Sequence, residues 1–461
     1  MPKGIVVAGL SGGTGKSVVA VGLVAAYARQ GRKVVPFKKG PDYIDAGWLQ
    51  LAAGKPCYNL DPYLMDSEVI RQSFVQHSRQ AEMVIIEGNR GLFDGVNMEG
   101  AYSTAELSKD LKLPVLLVVD CTKATRTVAA LVLGCQKLDP RVRVTGVILN
   151  RIGTDRHESI VRQAVEHYTG IPVVGTIPRS KKDIFPQRHL GVTPHQEHEG
   201  AEEATSMLAE MAKEYLDLYK IESLMADVQL PGADEKSIAK NITMPKVRIG
   251  ILKDAAFQFY YPENLESLKS QGAELVEINA MTTERLPEIE GLYIGGGFPE
   301  TSARRLADNV SFRRSVKRAA ENGLPIYAEC GGLIYLGESI LLGEEEYPLA
   351  AVFPVKFGLH KKPQAHGYTE LIVSGRNPFY EKNERIRGHE FRYSTVLAWP
   401  GNPGDLAFIM QRGVGFMEGR DGLVYNNVLA LYTHIHALST PQWASSLVAR
   451  ASAFKTQSSK A

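Results

Sequence analysis

Short apolar runs alternate with longer stretches of helical period through the first two hundred residues of the chain. The runs GIVVAGL (4–10), KVVPFK (33–38), MVIIEG (83–88), PVLLVVD (114–120) and VTGVILN (144–150) are rich in Val, Ile and Leu and barely alternate with polar residues. Such runs predict strands buried on both faces. Stretches such as SVVAVGLVAAYARQG (17–31) lie between them, so the pattern predicts a parallel sheet flanked by helices. From about Glu202 to Met225 the apolar residues keep helical spacing, and then DVQLPGADEKSIAKNITMP (227–245) is polar, carries Pro and Gly, and has no sustained period. At Lys246 the pattern restarts with VRIGILKD, a helical NLESLKSQG, and the runs AELVEINA, GLYIGGGFPE and LPIYAEC. The expected architecture is α/β in two domains, at 1–222 and 246–441. A linker is expected at 223–245, and a C-terminal helix and tail at 442–461, the last residues KTQSSKA frayed.

Composition narrows the classes. The 461 residues are 44% hydrophobic, enough for two cores. Fifty-three basic against fifty-one acidic residues leave a formal charge of +2, so no global field favours nucleic acid or a membrane surface. Anionic ligands must be held by local sites. The four cysteines, Cys57, Cys121, Cys135 and Cys330, form no C-x-x-C pair, which fits a reducing compartment. MPKGIVVAGL lacks the regions of a signal peptide, and no apolar run approaches a membrane span. The expectation is a cytoplasmic enzyme.

Gly9-Leu10-Ser11-Gly12-Gly13-Thr14-Gly15-Lys16-Ser17 joins a buried run to a helical one. Its backbone N–H groups and the helix N-terminus converge where a phosphate can sit. Gly12, Gly13, Thr14 and Gly15 are the expected nucleotide cradle. Lys16 is to reach the β/γ-phosphates, and the Ser17 hydroxyl is to ligate Mg²⁺. The leading glycine, Gly9, comes one residue earlier than in the common phosphate-loop spacing. The run also resembles the loop of ParA/MinD-type switch ATPases, but Ser11 stands where those carry a signature lysine, which counts against a dimerising switch.

Three charged segments follow strand ends, where open α/β sheets bind ligands. Lys38-Lys39-Gly40-Pro41-Asp42-Tyr43-Ile44-Asp45 sets two lysines beside two aspartates, suited to holding phosphate and metal together; a surface charge cluster is its bland alternative. Glu87 ends a buried run before Asn89-Arg90-Gly91-Leu92-Phe93-Asp94 and is placed for Mg²⁺, with a turn acid as its alternative. Asp120 fits a metal or a turn cap equally. Asn150 follows another strand end, where a side-chain amide can read a purine base.

In the second half, LPIYAECGGLIYLGESIL reads as strand, sharp turn and helix, with Cys330 at the turn beside Gly331 and Gly332. This is the pattern of a nucleophile elbow, in which the helix N-terminus and adjacent N–H groups activate the thiol and form an oxyanion hole. The other cysteines lack that setting. About a hundred residues later, YTHIHAL places His434 and His436 on one face of a strand-like run as candidate bases. His195 and His198 lack zinc-protease spacing and read as part of an acidic loop.

FKKGPDYIDAGW, EGNRGLFDG, IGGGFPE, LPIYAECGGLIYL, HGYTE, RGHEFRYS and YTHIHAL, in that order, resemble the cobyrinic acid a,c-diamide synthase group of corrinoid amide synthases. The likeness spans almost the whole chain. It implies an N-terminal ATPase of dethiobiotin-synthetase type and a C-terminal class I glutamine amidotransferase-like domain. The implied reaction amidates the a and c carboxylates of cobyrinic acid with ATP, Mg²⁺ and glutamine-derived ammonia, through acyl phosphates. It further implies Cys330 and His434 as the glutaminase pair, Ser17, Asp45 and Glu87 at the metal, and Lys39, Asp42, Tyr43 and Asp94 toward the substrate. A shielded passage for ammonia and a homodimer are also expected. EGNRG departs from the E-G-V-M-G of many members, so hydrogenobyrinic acid and nickel sirohydrochlorin stay open as substrates, as does the four-fold amidation of cobyric acid synthase. Lys361, Lys362, Arg387 and Arg392 are candidates for a polycarboxylate and equally for a solvated surface. The class I pattern His-x-Glu is broken by His436, and no carboxylate is identified to orient the base.

Overall fold

The computed structural model describes residues 1–179, 187–188, 191–198, 200–229 and 247–458. The chain forms two compact units, Met1–Ile238 and Ala239–Ala461. In the first, β1 (Lys3–Gly9), β2 (Val34–Lys39), β3 (Tyr58–Leu60), β4 (Met83–Glu87), β5 (Val115–Asp120), β6 (Val144–Ile152) and β7 (Val173–Pro178) form a parallel sheet in the order β3-β2-β4-β1-β5-β6-β7. The five apolar runs become β1, β2, β4, β5 and β6; Ile5, Val6, Val7, Ile85, Leu116, Val118 and Ile148 have no exposed surface. Burying such side chains contributes roughly 1.5–3 kcal/mol each, which sets the strands' places before any polar contact does. Helix α1 (Lys16–Arg29) runs from the end of β1 and packs on the helix Ala201–Tyr215, where Gly22 lies against Leu208 and Ala212.

The sequence-read linker begins too early. Ser223 and Leu224 complete a helix, and Ala226–Asp227 pairs antiparallel with Lys3 and Gly4 of β1, followed by buried Val228. Burial of Ile221, Met225 and Val228 carries these residues into the first core, despite their polar neighbours. The remainder of that linker, 230–245, lies outside the described residues.

In the second unit the strands Ala273–Ile278, Val247–Leu252, Gly291–Ile294, Ile326–Glu329 and Val428–Leu431 are parallel neighbours in that order, with Leu423–Tyr425 antiparallel at one edge. Two smaller sheets accompany it, one mixed and one antiparallel. One contains the hairpin Ala365–Val373 with Arg385–Arg392, whose Gly388 and His389 pair with Ile435 and His434. The last helix, Gln442–Ser458, lies where a C-terminal helix was expected and buries Trp443, Leu447, Val448 and Ala451 among the unit's core residues. Residues 459–461 lie outside the described residues. Among the described residues no helix is long and apolar enough to cross a membrane.

Candidate active sites

The glycine-rich segment bridges β1 and α1 as read from sequence. Gly15, at the helix N-cap, has φ 97°, and a β-carbon there would overlap the Asn150 amide. Only glycine takes this conformation without strain. Asn150 Nδ2 donates to Thr14 O at 2.8 Å, and its Oδ1 accepts from Arg151 N at 2.9 Å, so the amide braces the loop. Lys16 is buried over the loop, and its Nζ donates to Ser11 O at 3.0 Å. Burial lowers its pKa, an effect that Glu87 opposes.

Glu87 ends β4 in register with Val7 of β1 and Lys38 of β2, at the carboxyl end of the sheet. Lys38, 1% exposed, spans Asp45 Oδ2 at 2.7 Å and Glu87 Oε1 at 3.1 Å. Ser17 Oγ also donates to Glu87 Oε1 at 2.7 Å. Burial would lower the Lys38 pKa, yet Asp45 and Glu87 outweigh it and raise it. Burial, with the Asp45 charge second, pushes the Glu87 carboxyl up to about 7. Glu87 Oε2 is buried and makes no hydrogen bond. An orphaned buried carboxylate oxygen beside a hydroxyl and a second carboxylate is the donor set a hard divalent cation takes. Among the described residues no three His, Cys, Asp or Glu side chains gather as a metal cage.

The substrate residues expected from sequence lie around this cluster. Asp42 Oδ1 accepts from Asp45 N at 2.9 Å, capping the first turn of α2 (Ile44–Ala53), with Tyr43 at its N-cap. Asp94 Oδ2 accepts from Gly91 N at 2.9 Å, and Leu92 N donates to Gly9 O, which ties the 88–94 loop to the end of β1. Lys39 alternates away from Lys38; burial lowers its pKa, Asp61 opposes this, and the charges of Lys38 and Arg90 add to the lowering. Asp120 accepts from Thr122 N and pairs with Arg151 at 2.5 Å, the arrangement of a turn cap. Lys38, not Lys39, holds the two carboxylates together. That role comes from the register of β2 on β4, which sets Lys38 opposite Glu87 on the neighbouring strand.

Cys330 follows the strand Ile326–Glu329 with φ 47° and ψ −97°, outside the common basins, and caps the six-residue helix Gly331–Leu336. Such strain persists only where the surroundings enforce it. Here Cys330 N donates to Leu431 O at 2.8 Å, and Gly331 packs on the backbone of Gly297. His434 hydrogen-bonds the Cys330 side chain, and its ring occupies the space a β-carbon on Gly296 would need. Burial by itself lowers the imidazole pKa; Cys330 and Glu329 outweigh it and raise it to about 9. His389 stacks on His434 with ring centroids 4.9 Å apart, and burial followed by the neighbouring histidines pushes its pKa well below the usual value.

Glu329 is fully buried and faces His434 Nδ1 at 3.4 Å. The sequence identified no carboxylate for this imidazole; the strand turns so sharply at Cys330 that Glu329 and the nucleophile both reach it. His436 faces Glu263 and Tyr261 instead. Arg392 is not a surface cation. It is buried, donates to Ser394 O and Gly415 O, and lies 3.9 Å over the Tyr432 ring. His195 and His198 pack edge-on against Trp48, whose indole donates to Thr193 O.

Comparison with known proteins follows the same division. Residues 5–192 match the CobQ/CobB/MinD/ParA nucleotide binding domain, and residues 248–442 match the CobB/CobQ-like glutamine amidotransferase domain. A Magnetococcus marinus protein named cobyrinate a,c-diamide synthase is 41% identical over 436 residues, 94% of this chain and 93% of that one. Proteins of the same name from Archaeoglobus fulgidus and Methanothermobacter thermautotrophicus are 39% and 37% identical, each over 450 residues. The former match covers 97% of both chains, the latter 97% of this chain and 99% of the other.

Proposed function

The chain belongs to the cobyrinate a,c-diamide synthase family of glutamine-hydrolysing ligases, and on that premise we propose that it amidates the a and c carboxylates of cobyrinic acid through acyl phosphates. The observation that carries the reading is the strained, buried Cys330 in hydrogen-bond contact with His434, in one chain with a phosphate loop.

A carboxylate has no good leaving group. Its oxygen attacks the γ-phosphorus of ATP, ADP departs, and the resulting acyl phosphate is open to ammonia, which forms the amide as phosphate leaves. Lys16 and the loop amides from Gly12 to Gly15 hold the phosphates, and Asn150 keeps the loop closed from below. Ser17, Asp45 and Glu87 are the residues for Mg²⁺, supported by the orphaned Glu87 oxygen. Held there, the ion would neutralise phosphate charge during transfer. Lys39, Asp42, Tyr43 and Asp94 stand at the same sheet end and are assigned to positioning the carboxylate substrate.

In the second unit the Cys330 thiolate attacks the side-chain amide carbon of glutamine, and backbone amides beside the nucleophile are assigned to the developing oxyanion. Protonated His434 gives its proton to the departing ammonia. Water then cleaves the γ-glutamyl thioester, His434 taking the water's proton, and glutamate leaves.

The test is Cys330→Ala assayed with cobyrinic acid, ATP and either glutamine or free ammonia. Amidation is expected to vanish with glutamine and persist with ammonia, and the product mass is expected to show two amidations. Undiminished glutamine consumption would refute the nucleophile, and four amidations would refute the substrate reading.

A further inference from the structure

We infer that Glu329 is the residue that orients the catalytic base: one strand end delivers both the nucleophile and the carboxylate of a Cys330–His434–Glu329 triad. The usual amidotransferase glutamate, two residues after the histidine, is here His436. Both ring nitrogens of His436 are turned to other groups. Its Nδ1 accepts from Leu438 N at 3.2 Å, and its Nε2 faces Glu263 Oε1 at 3.7 Å. The triad's third position is therefore filled from elsewhere.

Glu329 is aimed at that position from three directions. Its Oε2 faces His434 Nδ1 at 3.4 Å and accepts from Tyr293 OH at 3.4 Å, while its Oε1 accepts from Ile435 N at 3.4 Å. Asn264 supports the same geometry by donating to Tyr293 OH at 3.3 Å and to Ile435 O at 3.1 Å, and by accepting from Ala437 N at 2.6 Å. These contacts are long, as catalytic hydrogen bonds often are before substrate arrives. Burial raises the pKa of the Glu329 carboxyl, and His434, Ile435 N–H and Tyr293 OH oppose that rise by favouring its ionised form. With Nδ1–H held by Glu329, Nε2 is left for the Cys330 sulfur and the leaving ammonia, which is the tautomer the reaction needs.

Glu329 touches neither glutamine nor the sulfur in this role; it is a positioning residue. The inference rests on the glutaminase reading of Cys330 and His434, and the experiment separates the two. Full-length Glu329→Gln and Glu329→Asp proteins are assayed beside Cys330→Ala, with glutamine and with ammonia. Glu329→Gln is expected to lower the glutaminase kcat on the order of 10²–10³-fold. Its KM for glutamine should move less than about threefold and its ammonia-driven amidation should stay intact. Glu329→Asp, which keeps the charge, is expected to recover part of kcat. A kcat within about twofold of the parent protein, or equal losses with glutamine and with ammonia, would overturn the assignment. If Cys330→Ala still hydrolyses glutamine, the glutaminase reading itself fails; if only the Glu329 variants behave as the parent, the triad alone fails.

Discussion

The phosphate site and the cysteine site both use buried charge, and they use it in opposite ways. At the end of β4, Lys38 answers Asp45 and Glu87, Ser17 answers Glu87, and Lys16 answers a loop carbonyl. Apart from the orphaned Glu87 Oε2, these groups are held by neighbours, and on the proposed reading ATP and a cation would exchange those partners. At Cys330 the nucleophile, the imidazole and the carboxylate already touch in sequence along one end of a parallel sheet. The first site is completed by what binds it, the second by the fold. The fold-built site stores its readiness as backbone strain at Cys330, whereas the ligand-built site stores it as replaceable ion pairs.

The sharpest way to break this contrast is a cross of variants. Lys16→Met is expected to lower amidation by about 10³-fold with glutamine and with ammonia alike, since it removes charge stabilisation of phosphoryl transfer. The Cys330→Ala loss should be confined to glutamine. Steady-state rates with the two nitrogen sources provide the check. A Lys16→Met protein that amidates normally with ammonia would remove the phosphate loop from the reaction.

A smaller effect tests how Glu87 is poised. Its carboxyl is pushed up to about 7 and must be ionised to hold a cation. Nucleotide affinity in the presence of Mg²⁺ is thus expected to be full above pH 7 and to weaken up to about tenfold per unit below it. Glu87→Gln should flatten that profile and lower amidation by about 10²-fold. Calorimetric titration with a non-hydrolysable ATP analogue at pH 6 and pH 8 reads both arms; an unchanged profile in the variant assigns the titration to another group.

Much of this organisation was legible in the residues. The apolar runs marked the parallel strands because strands buried on both faces leave a continuous trace. The glycine loop and Cys330 stood out because a close backbone turn admits few residue types. The two smaller sheets were not read, because their strands alternate weakly and some of their partners lie far along the chain, as with Gly388 and Ile435. The role of Glu329 and the pairing of Lys38 with Glu87 were missed for a shared reason. Each ends a buried strand, and its role depends on what the adjacent strand or turn sets opposite it, a pairing that no local pattern encodes.

The imidazole of His434 supplies a stability test of the preassembled site. Its folded pKa of about 9 lies above the ordinary value of 6.5, with Cys330, Glu329 and His389 facing it. A raised folded pKa contributes stability fully below pH 6.5, and the contribution is lost as pH rises through about 9. The second unit should therefore lose on the order of 1–3 kcal/mol between pH 6.5 and pH 9.5. His434→Gln should lack that dependence. Urea unfolding followed by tryptophan fluorescence checks it, and equal slopes for the two proteins would place the proton elsewhere.

Asp120 offers the smallest and most discriminating case, because it ends a strand of the phosphate unit much as Glu87 does. Its oxygens are taken by Thr122 N and by Arg151, and 27% of its side chain is exposed. An exposed pair of this kind is worth roughly 0–1 kcal/mol. Asp120→Asn is therefore expected to leave amidation and the Mg²⁺ requirement within about twofold and to lower the unfolding midpoint by no more than a few degrees. A rise in the Mg²⁺ concentration needed for half-maximal rate would make Asp120 a third carboxylate at the cation, and the phosphate unit would then be a cage rather than a set of exchangeable ion pairs. An unmoved requirement leaves Ser17, Asp45 and Glu87 as the protein's share of that coordination, with phosphate and water completing it.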